Sequence, residues 1–136
     1  MKSLVIDDDY SCRRIFKVYL DNLGDCDTVS LGFEGMNKFK EAFGTSDPYN
    51  LIIIDIILPD INGNEVLRMI RTEEDLALTP DHFRVKIVLA TSLDDEVNRN
   101  FEKDLKKGLE TYYVKSFANE GLPGKLQELN LAAPLI

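Results

Sequence analysis

The sequence predicts an α/β fold in which a doubly wound, five-stranded parallel sheet carries helices on both faces. Short apolar runs alternate with amphipathic stretches along the whole chain, without repeats or low-complexity segments. The run Leu51–Ile54 is continuously apolar, as expected of a parallel strand that is buried on both faces. With 136 residues, of which 44% are apolar and 29% charged, the chain has the size and composition of one globular domain.

The first half of the chain predicts two strand–helix units ahead of the central strand. Residues 3–6 form a short apolar strand, and a helix follows from residue 11 until Gly24, because apolar side chains recur there every three or four residues. A weaker strand over residues 28–31 precedes a second helix. The residues predicted to face the core are Cys12, Ile15, Phe16, Tyr19, Leu20 and Leu23 in the first helix, and Phe33, Met36, Phe39 and Phe43 in the second.

The second half of the chain predicts three further strands and three helices. The strands cover residues 51–54, 85–90 and 112–114, and residues 72–84 between them predict a frayed helix extension plus a loop that contains Pro80. The core residues predicted for the helices are Val66, Leu67 and Ile70 after Gly63, then Val97, Phe101 and Leu105 after an Asp94 cap, and finally Leu122, Leu126 and Leu129.

Charge and composition argue against several classes of function. The 24 acidic residues outnumber the 16 basic ones, and the resulting net charge of −8 disfavours binding to nucleic acid or to anionic membranes. The chain has only two cysteines, Cys12 and Cys26, too few for a disulfide framework. No signal-peptide core precedes the aspartates at residues 7–9, and the longest apolar run is too short to span a bilayer. We therefore expect a cytoplasmic protein.

Polar residues follow four of the predicted strands at the points where the strands end. Asp7 and Asp8 follow the first strand, Asp55 the third, Thr91 the fourth and Lys115 the fifth. In a parallel sheet these ends meet at one edge, where several carboxylates require a cation and oxygen ligands favour Mg²⁺. A hydroxyl and an ammonium nearby suit a transferring phosphoryl group. Taken alone, each of these residues is also explained as a turn, cap or solvated surface residue, and the neighbouring Asp9 needs no other explanation. Only the joint pattern indicates phosphoryl chemistry.

Five segments, in this order along the chain, resemble the receiver domain of two-component response regulators, in particular the stand-alone chemotaxis-type (CheY-like) regulators. The resemblance covers nearly the whole chain and implies a single receiver domain over residues 1–136, with a flavodoxin-like fold, strand order 2-1-3-4-5 and five helices. The segments are Leu4–Asp8, Ser11–Ile15, Asp55–Gly63, Leu89–Ser92 and Tyr112–Phe117.

The resemblance implies a role for each site residue. Asp55 corresponds to the phosphoacceptor, and Mg²⁺ is expected on Asp8, Asp55 and the backbone carbonyl of Ile57, with Asp7 acting mainly through water. Thr91 is expected to hydrogen-bond the phosphoryl group, and Lys115 is expected to pair with it as the third catalytic residue.

Three further positions carry expectations about switching and lifetime. Tyr112 corresponds to the aromatic switch residue, which turns inward as Thr91 moves and remodels the face made by helix four, strand five and helix five. Ile57 and Leu93 correspond to residues that flank the path of the attacking water, so two bulky apolar side chains there predict slow self-dephosphorylation. The alternative is that Ile57 and Leu93 merely pack.

Three departures from the family pattern affect these expectations. Ser116 stands where a proline, often with a cis bond, usually follows the lysine, so the loop after Lys115 is either strained or built differently. Asn62 stands in place of a common aspartate before Gly63, and we expect little effect of this change on the turn. The segment between the third helix and the fourth strand is longer than usual, which predicts a different surface there.

The resulting hypothesis is a signalling switch rather than a conventional enzyme. It accepts phosphate from a histidine kinase or a histidine phosphotransfer protein, catalyses only its own phosphorylation and dephosphorylation, and signals by binding a downstream protein, as a monomer or weak dimer. A phosphorelay intermediate or phosphate sink is the main alternative. A degenerate docking module and a small phosphatase are less favoured, since a phosphatase needs an aspartate at the position of Ile57. Because the receiver accounts for all 136 residues, we expect no output domain.

Overall fold

The computed structural model describes residues 1–92 and 96–131, apart from the side chains of residues 97 and 98. Within them, five parallel strands form one sheet in the order β2-β1-β3-β4-β5, which confirms the predicted sheet and its strand order. The strands are β1 Ser3–Ile6, β2 Cys26–Val29, β3 Leu51–Asp55, β4 Lys86–Thr91 and β5 Glu110–Val114.

The helices lie between the strands, and one of them is far shorter than predicted. Four run for seven residues or more, namely α1 Tyr10–Leu20, α2 Gly32–Ala42, α3 Gly63–Leu76 and α5 Leu122–Glu128, whereas α4 is the single turn Glu96–Arg99. Short 3₁₀ turns occupy Asp81–Phe83 and Glu102–Asp104. No helix of the described ranges is long and apolar enough to cross a membrane.

The expectation of five full helices is therefore wrong at the fourth. Phe101 and Leu105 reach the core only as partly buried residues, and most of the neighbouring described side chains are polar and exposed. Such a segment buries too little apolar surface to stabilise a longer helix, because most helical stability in proteins comes from packing. The predicted cap Asp94 lies outside the described residues.

Two apolar layers cover the sheet, one on each face. One layer packs Phe16, Leu20, Leu122 and Leu126 from α1 and α5 against the sheet, and the other packs residues of α2 and α3 such as Met36, Phe39, Val66 and Ile70. Most of the predicted core residues are thus confirmed. Phe33 is a correction: it is 52% exposed, because it lies in the first turn of α2 and points away from the core.

The amino-terminal edge of the sheet is closed by a buried ion network centred on Arg71 of α3. Arg71 contacts Glu74 and Glu110, each at 2.6 Å, and Glu74 is only 1% exposed. The two carboxylates also accept hydrogen bonds from the backbone N–H groups of Val85, at 2.8 Å, and Lys106, at 2.9 Å. The network therefore ties the end of α3 to the starts of β4 and β5.

The opposite, carboxyl-terminal edge collects the polar residues that follow the strands. Ile6 of β1 pairs with Ile54 of β3, and Asp55 pairs with Ala90 of β4, so the chain leaves these strands at the same level. Thr91 pairs with Val114 of β5. The register thus brings the residues after β1, β4 and β5 alongside the end of β3, as predicted.

Candidate functional site

The loop between β1 and α1 is held by its own aspartates. Asp7 is 1% exposed, and its Oδ1 accepts the backbone N–H of Asp9 at 2.9 Å. Asp9 in turn caps α1 by accepting the N–H of Cys12 at 3.0 Å, which confirms the structural role for Asp9 and lowers the pKa of its carboxyl. Arg13 donates to the Asp7 carbonyl oxygen at 2.8 Å. The buried Asp7 carboxylate is therefore fixed in orientation, whereas Asp8 is exposed.

Asp55, the last residue of β3, lies beside this loop and is 8% exposed. Its Oδ1 accepts the N–H of Ile57 at 3.1 Å, and its Oδ2 accepts a hydrogen bond from Lys115 Nζ at 3.0 Å. The start of α3 approaches closely because Gly63 has no side chain: a Cβ atom there would lie 2.2 Å from the Asp55 carbonyl oxygen.

Lys115 bridges the two buried carboxylates. Its Nζ lies 2.6 Å from Asp7 Oδ2, in a contact outside hydrogen-bond geometry, and 3.0 Å from Asp55 Oδ2. Burial lowers the pKa of the Lys115 ammonium, but the close contacts with Asp7 and Asp55 outweigh burial, so this pKa is raised. The lysine therefore stays charged and acts as a local counter-ion.

The carboxylate of Asp55 remains poorly stabilised despite this lysine. Burial raises the pKa of Asp55, Lys115 lowers it and Asp7 raises it again, with a net pKa of about 6. A second positive charge would favour the ionised form of Asp55 near neutral pH.

The acidic residues of this edge fit a divalent cation. Asp7, Asp8 and Asp55 each offer a carboxylate oxygen, and the three atoms lie within 4.8 Å of one another. Buried Asp7 Oδ2 accepts no hydrogen bond from the described residues, so its charge is only partly compensated by Lys115. An all-oxygen donor set of this kind suits Mg²⁺, which keeps several waters and binds through one or two carboxylates.

The remaining predicted site residues divide into those that the structure places and one that it does not describe. Thr91, 1% exposed, ends β4 next to Lys115, whose N–H donates to the Thr91 carbonyl at 2.9 Å. Tyr112 is buried on β5, on the α2–α3 side of the sheet. The Ile57 side chain is 54% exposed in the loop after Asp55. Leu93 lies outside the described residues.

One supporting residue of the site carried no expectation from sequence. The Asp60 carboxylate, in the loop after Asp55, accepts the N–H groups of Gly32 and Phe33 at 2.9 Å each and so caps α2. Burial raises the pKa of Asp60, but these backbone hydrogen bonds outweigh it and the pKa is lowered. Capping motifs read from sequence are local. A cap donated by a distant loop has no such signal.

Comparisons with known proteins agree on one family. A family model described as "Response regulator receiver domain" matches residues 4–127. The response regulator TrrA of Thermotoga maritima, solved in complex with Mg²⁺ and BeF, superposes with a TM-score of 0.68 at 32% identity over 94% of this chain and 97% of TrrA. The chemotaxis protein CheY4 of Vibrio cholerae superposes with a TM-score of 0.70 at 25% identity, covering 93% of this chain and 95% of CheY4.

Curated relatives include transcriptional regulators that are longer than this chain. CusR of Escherichia coli is 33% identical over 129 residues, which are 95% of this chain and 51% of CusR. The chain spans about half the length of most of the curated relatives that it matches. The matched family model, the topology and the acidic site at the carboxyl edge agree with one another. The chain belongs to the response regulator receiver domain family, whose members are phosphoacceptors in two-component signalling.

Proposed function

We propose that Asp55 accepts a phosphoryl group from a phosphohistidine in a Mg²⁺-dependent reaction, and that the phosphorylated protein signals by binding another protein. The observation that carries this proposal is the position of Lys115, whose ammonium contacts both Asp7 and Asp55 in a pocket of otherwise uncompensated carboxylates. This arrangement supplies an oxygen nucleophile together with a fixed positive charge beside it.

The proposed transfer moves one phosphoryl group between two side chains. An oxygen of the Asp55 carboxylate attacks the phosphorus as the P–N bond to the donor imidazole breaks. The leaving nitrogen keeps the electron pair of that bond and the other ring nitrogen carries a proton, so the donor returns to neutral histidine and Asp55 becomes an acyl phosphate. Lys115 pairs with the phosphoryl oxygens, and the Thr91 hydroxyl donates a hydrogen bond to one of them.

We assign the metal ligands by combining the acidic cluster with the family resemblance. Asp8, Asp55 and the backbone carbonyl of Ile57 would hold Mg²⁺, and Asp7 would act mainly through water. When bound, Mg²⁺ neutralises charge on the transferring phosphoryl group. The complex of TrrA with Mg²⁺ and BeF, from a relative of 32% identity, supports the metal and the chemistry.

A groove beside the site gives a donor side chain access to Lys115. Its lining includes Ser11, Ile15, Lys115, Ser116 and Phe117, and Phe117 is 93% exposed. An apolar rim of this kind suits the surface of a histidine kinase or histidine phosphotransfer protein, because large exposed apolar side chains mark interaction sites.

For the output we propose a shift in the Thr91–Tyr112 pair that remodels the α4–β5–α5 face for a downstream protein. Tyr112 is already buried, and α4 is a single turn in a segment with few core residues. Such a segment changes conformation at low free-energy cost. Output by protein contact in the cytoplasm, as in chemotaxis, and a monomer or weak dimer remain our proposals for the biological setting.

We also propose that the phosphorylated state is long-lived. The exposed Ile57 side chain lies two residues after Asp55 and offers an attacking water no hydrogen bond. Leu93 is assigned the same role from the family resemblance. An apolar residue at position 57 also disfavours the phosphatase alternative, because it cannot act as a general acid or base.

Exposure to acetyl phosphate with Mg²⁺, followed by intact mass spectrometry, tests the proposed phosphorylation. The expected result is one added phosphoryl group on the wild type and none on Asp55→Asn. Asp9→Asn serves as the control, because asparagine caps a helix as well as aspartate and Asp9 is outside the metal cluster. Phosphorylation that persists in Asp55→Asn, or repeated turnover of phosphomonoesters, contradicts the proposal.

A further inference from the structure

The lysine of the site needs a rigid loop, because its side chain is long and flexible. A lysine side chain loses rotamer entropy when it is fixed in one position. Lys115 is nevertheless held between Asp7 and Asp55, and its backbone N–H donates to the carbonyl oxygen of Thr91 in β4. The residues after Lys115 therefore decide where the chain turns and how its ammonium is aimed.

Ser116 closes the turn that follows. Its Oγ accepts the N–H of Glu120 at 2.7 Å and lies 3.4 Å from the hydroxyl of Tyr113. Its carbonyl oxygen accepts the N–H of Asn119 at 3.3 Å. The described residues contain no cis peptide bond, so these hydrogen bonds shape the loop with a trans Lys115–Ser116 bond.

Asn119 connects the same loop to the other half of the site. Its side chain is only 7% exposed, and its Nδ2 donates to the carbonyl oxygen of Ile15, in α1, at 3.1 Å. Its Oδ1 is buried without a hydrogen bond from the described residues. Its φ of 53° lies in the left-handed region, which asparagine also adopts in exposed turns where its carboxamide faces solvent. Burying a carboxamide of which only one group is hydrogen-bonded costs free energy. Turn formation alone therefore does not explain why the Asn119 side chain is buried against α1.

We propose that Asn119, assisted by Ser116, is a positioning residue for the Lys115 ammonium. Asn119 anchors the loop of Lys115 to α1, the helix that begins immediately after the loop of Asp7. The Lys115 ammonium and the Asp7 carboxylate are thus held in fixed positions relative to each other. This inference rests on the proposed function, in which Lys115 pairs with the phosphoryl group. Loss of the anchor misplaces the ammonium and leaves the Mg²⁺ ligands in position.

Two variants remove the Asn119 anchor in different ways. Asn119→Gly accepts the left-handed φ and has no side chain, whereas Asn119→Asp keeps the shape and the tolerance of that φ but cannot donate to Ile15 when ionised. Ala118→Gly is the matched control, since it adds the same backbone freedom to the loop at an exposed residue without removing a side-chain hydrogen bond. Ser116→Ala and Ser116→Thr remove and restore the second contact.

The measurements are the rate of phosphorylation by acetyl phosphate, the affinity for beryllofluoride, and the affinity for Mg²⁺ alone from tyrosine fluorescence. We expect both Asn119 variants to be phosphorylated about tenfold more slowly and to bind beryllofluoride more weakly, without a fall in Mg²⁺ affinity, because a displaced ammonium repels the metal ion less. Ala118→Gly should match the wild type, and Ser116→Thr should recover the rate that Ser116→Ala loses.

Three results overturn the inference: wild-type rates in Asn119→Gly, an equal loss in Ala118→Gly, or a fall in Mg²⁺ affinity that parallels the fall in rate. The last result would indicate general damage to the site rather than misplacement of the lysine. A wild-type protein that acetyl phosphate and Mg²⁺ fail to phosphorylate would instead refute the proposed function, so the two failures are distinguishable.

Discussion

The sheet carries a buried cluster of charged side chains at each edge, and the two clusters balance their charges differently. Each cluster combines two buried carboxylates with one cation. The members are Asp7, Asp55 and Lys115 at the carboxyl edge, and Glu74, Glu110 and Arg71 at the amino edge.

The difference lies in how completely the carboxylates are hydrogen-bonded. At the amino edge, both glutamates accept a backbone N–H in addition to the guanidinium of Arg71, whose planar fork suits two partners. At the carboxyl edge, Asp7 and Asp55 also each accept one backbone N–H, but Asp7 Oδ2 accepts no hydrogen bond from the described residues, and the pKa of Asp55 is raised to about 6. We call the amino-edge cluster the closed cluster, because it ties helix α3 to the starts of β4 and β5. We call the carboxyl-edge cluster the open cluster, because it keeps a carboxylate oxygen available for a ligand.

The largest expected effect on stability comes from opening the closed cluster. Arg71→Met leaves the carboxylates of Glu74 and Glu110 buried without their cation, and we expect the free energy of unfolding to fall by about 3–5 kcal/mol in urea titrations. Arg68→Met is the control, because Arg68 pairs with Glu65 on the exposed face of the same helix and should change stability by less than about 1 kcal/mol. Equal losses in both variants would contradict the comparison.

Neutralising Asp55 in the open cluster should raise the free energy of unfolding, whereas Arg71→Met lowers it. The folded-state pKa of Asp55, about 6, exceeds its unfolded value, so ionised Asp55 lowers stability by an amount that grows as the pH rises towards 6 and is constant above it. We expect Asp55→Asn to raise the free energy of unfolding by about 2 kcal/mol at pH 7.5 in metal-free buffer. The gain should shrink as the pH falls below 6 and vanish below about pH 3, where Asp55 is protonated in both the folded and the unfolded state.

The amino edge supplies the comparison for this experiment. Glu110→Gln makes the same neutralising change beside Arg71, and there it should lower stability at pH 7.5 because a satisfied ion pair is lost. Urea titrations over the pH range separate the two behaviours. A gain from Asp55→Asn that is largest at pH 4 would show that burial of its charge is not the cause.

The smallest expected effect concerns the rate at which the phosphoryl group is lost. Ile57→Asn gives an attacking water a hydrogen-bonding partner near Asp55, and we expect dephosphorylation of the acetyl phosphate-labelled protein to accelerate several-fold, by about 1 kcal/mol of barrier. Leu78→Asn replaces another exposed apolar residue, far from Asp55 in the segment between α3 and β4, and should leave the rate unchanged. An unchanged rate in Ile57→Asn would mean that Ile57 only packs.

The sequence predicts the carboxyl edge far better than the amino edge, and the reason is topological. In a parallel sheet every strand ends on the same side, so Asp7, Asp55 and Lys115 come together once the strands are recognised. Arg71 and Glu110, in contrast, are single charges on a helix and at a strand start, where an isolated charge is usually solvated. The short α4 escaped prediction for a related reason, because apolar spacing indicates a helix without showing how much of it the core can bury.

The close approach at Gly63 has a consequence for how the site tolerates mutation. Any side chain at residue 63 would collide with the backbone of Asp55, even though Gly63 carries no functional group. We therefore expect substitutions of Gly63 to be as damaging as substitutions of the acidic residues, only because there is no room for a side chain. Redesign of this pocket for another reaction must preserve that empty space as strictly as it preserves the carboxylates.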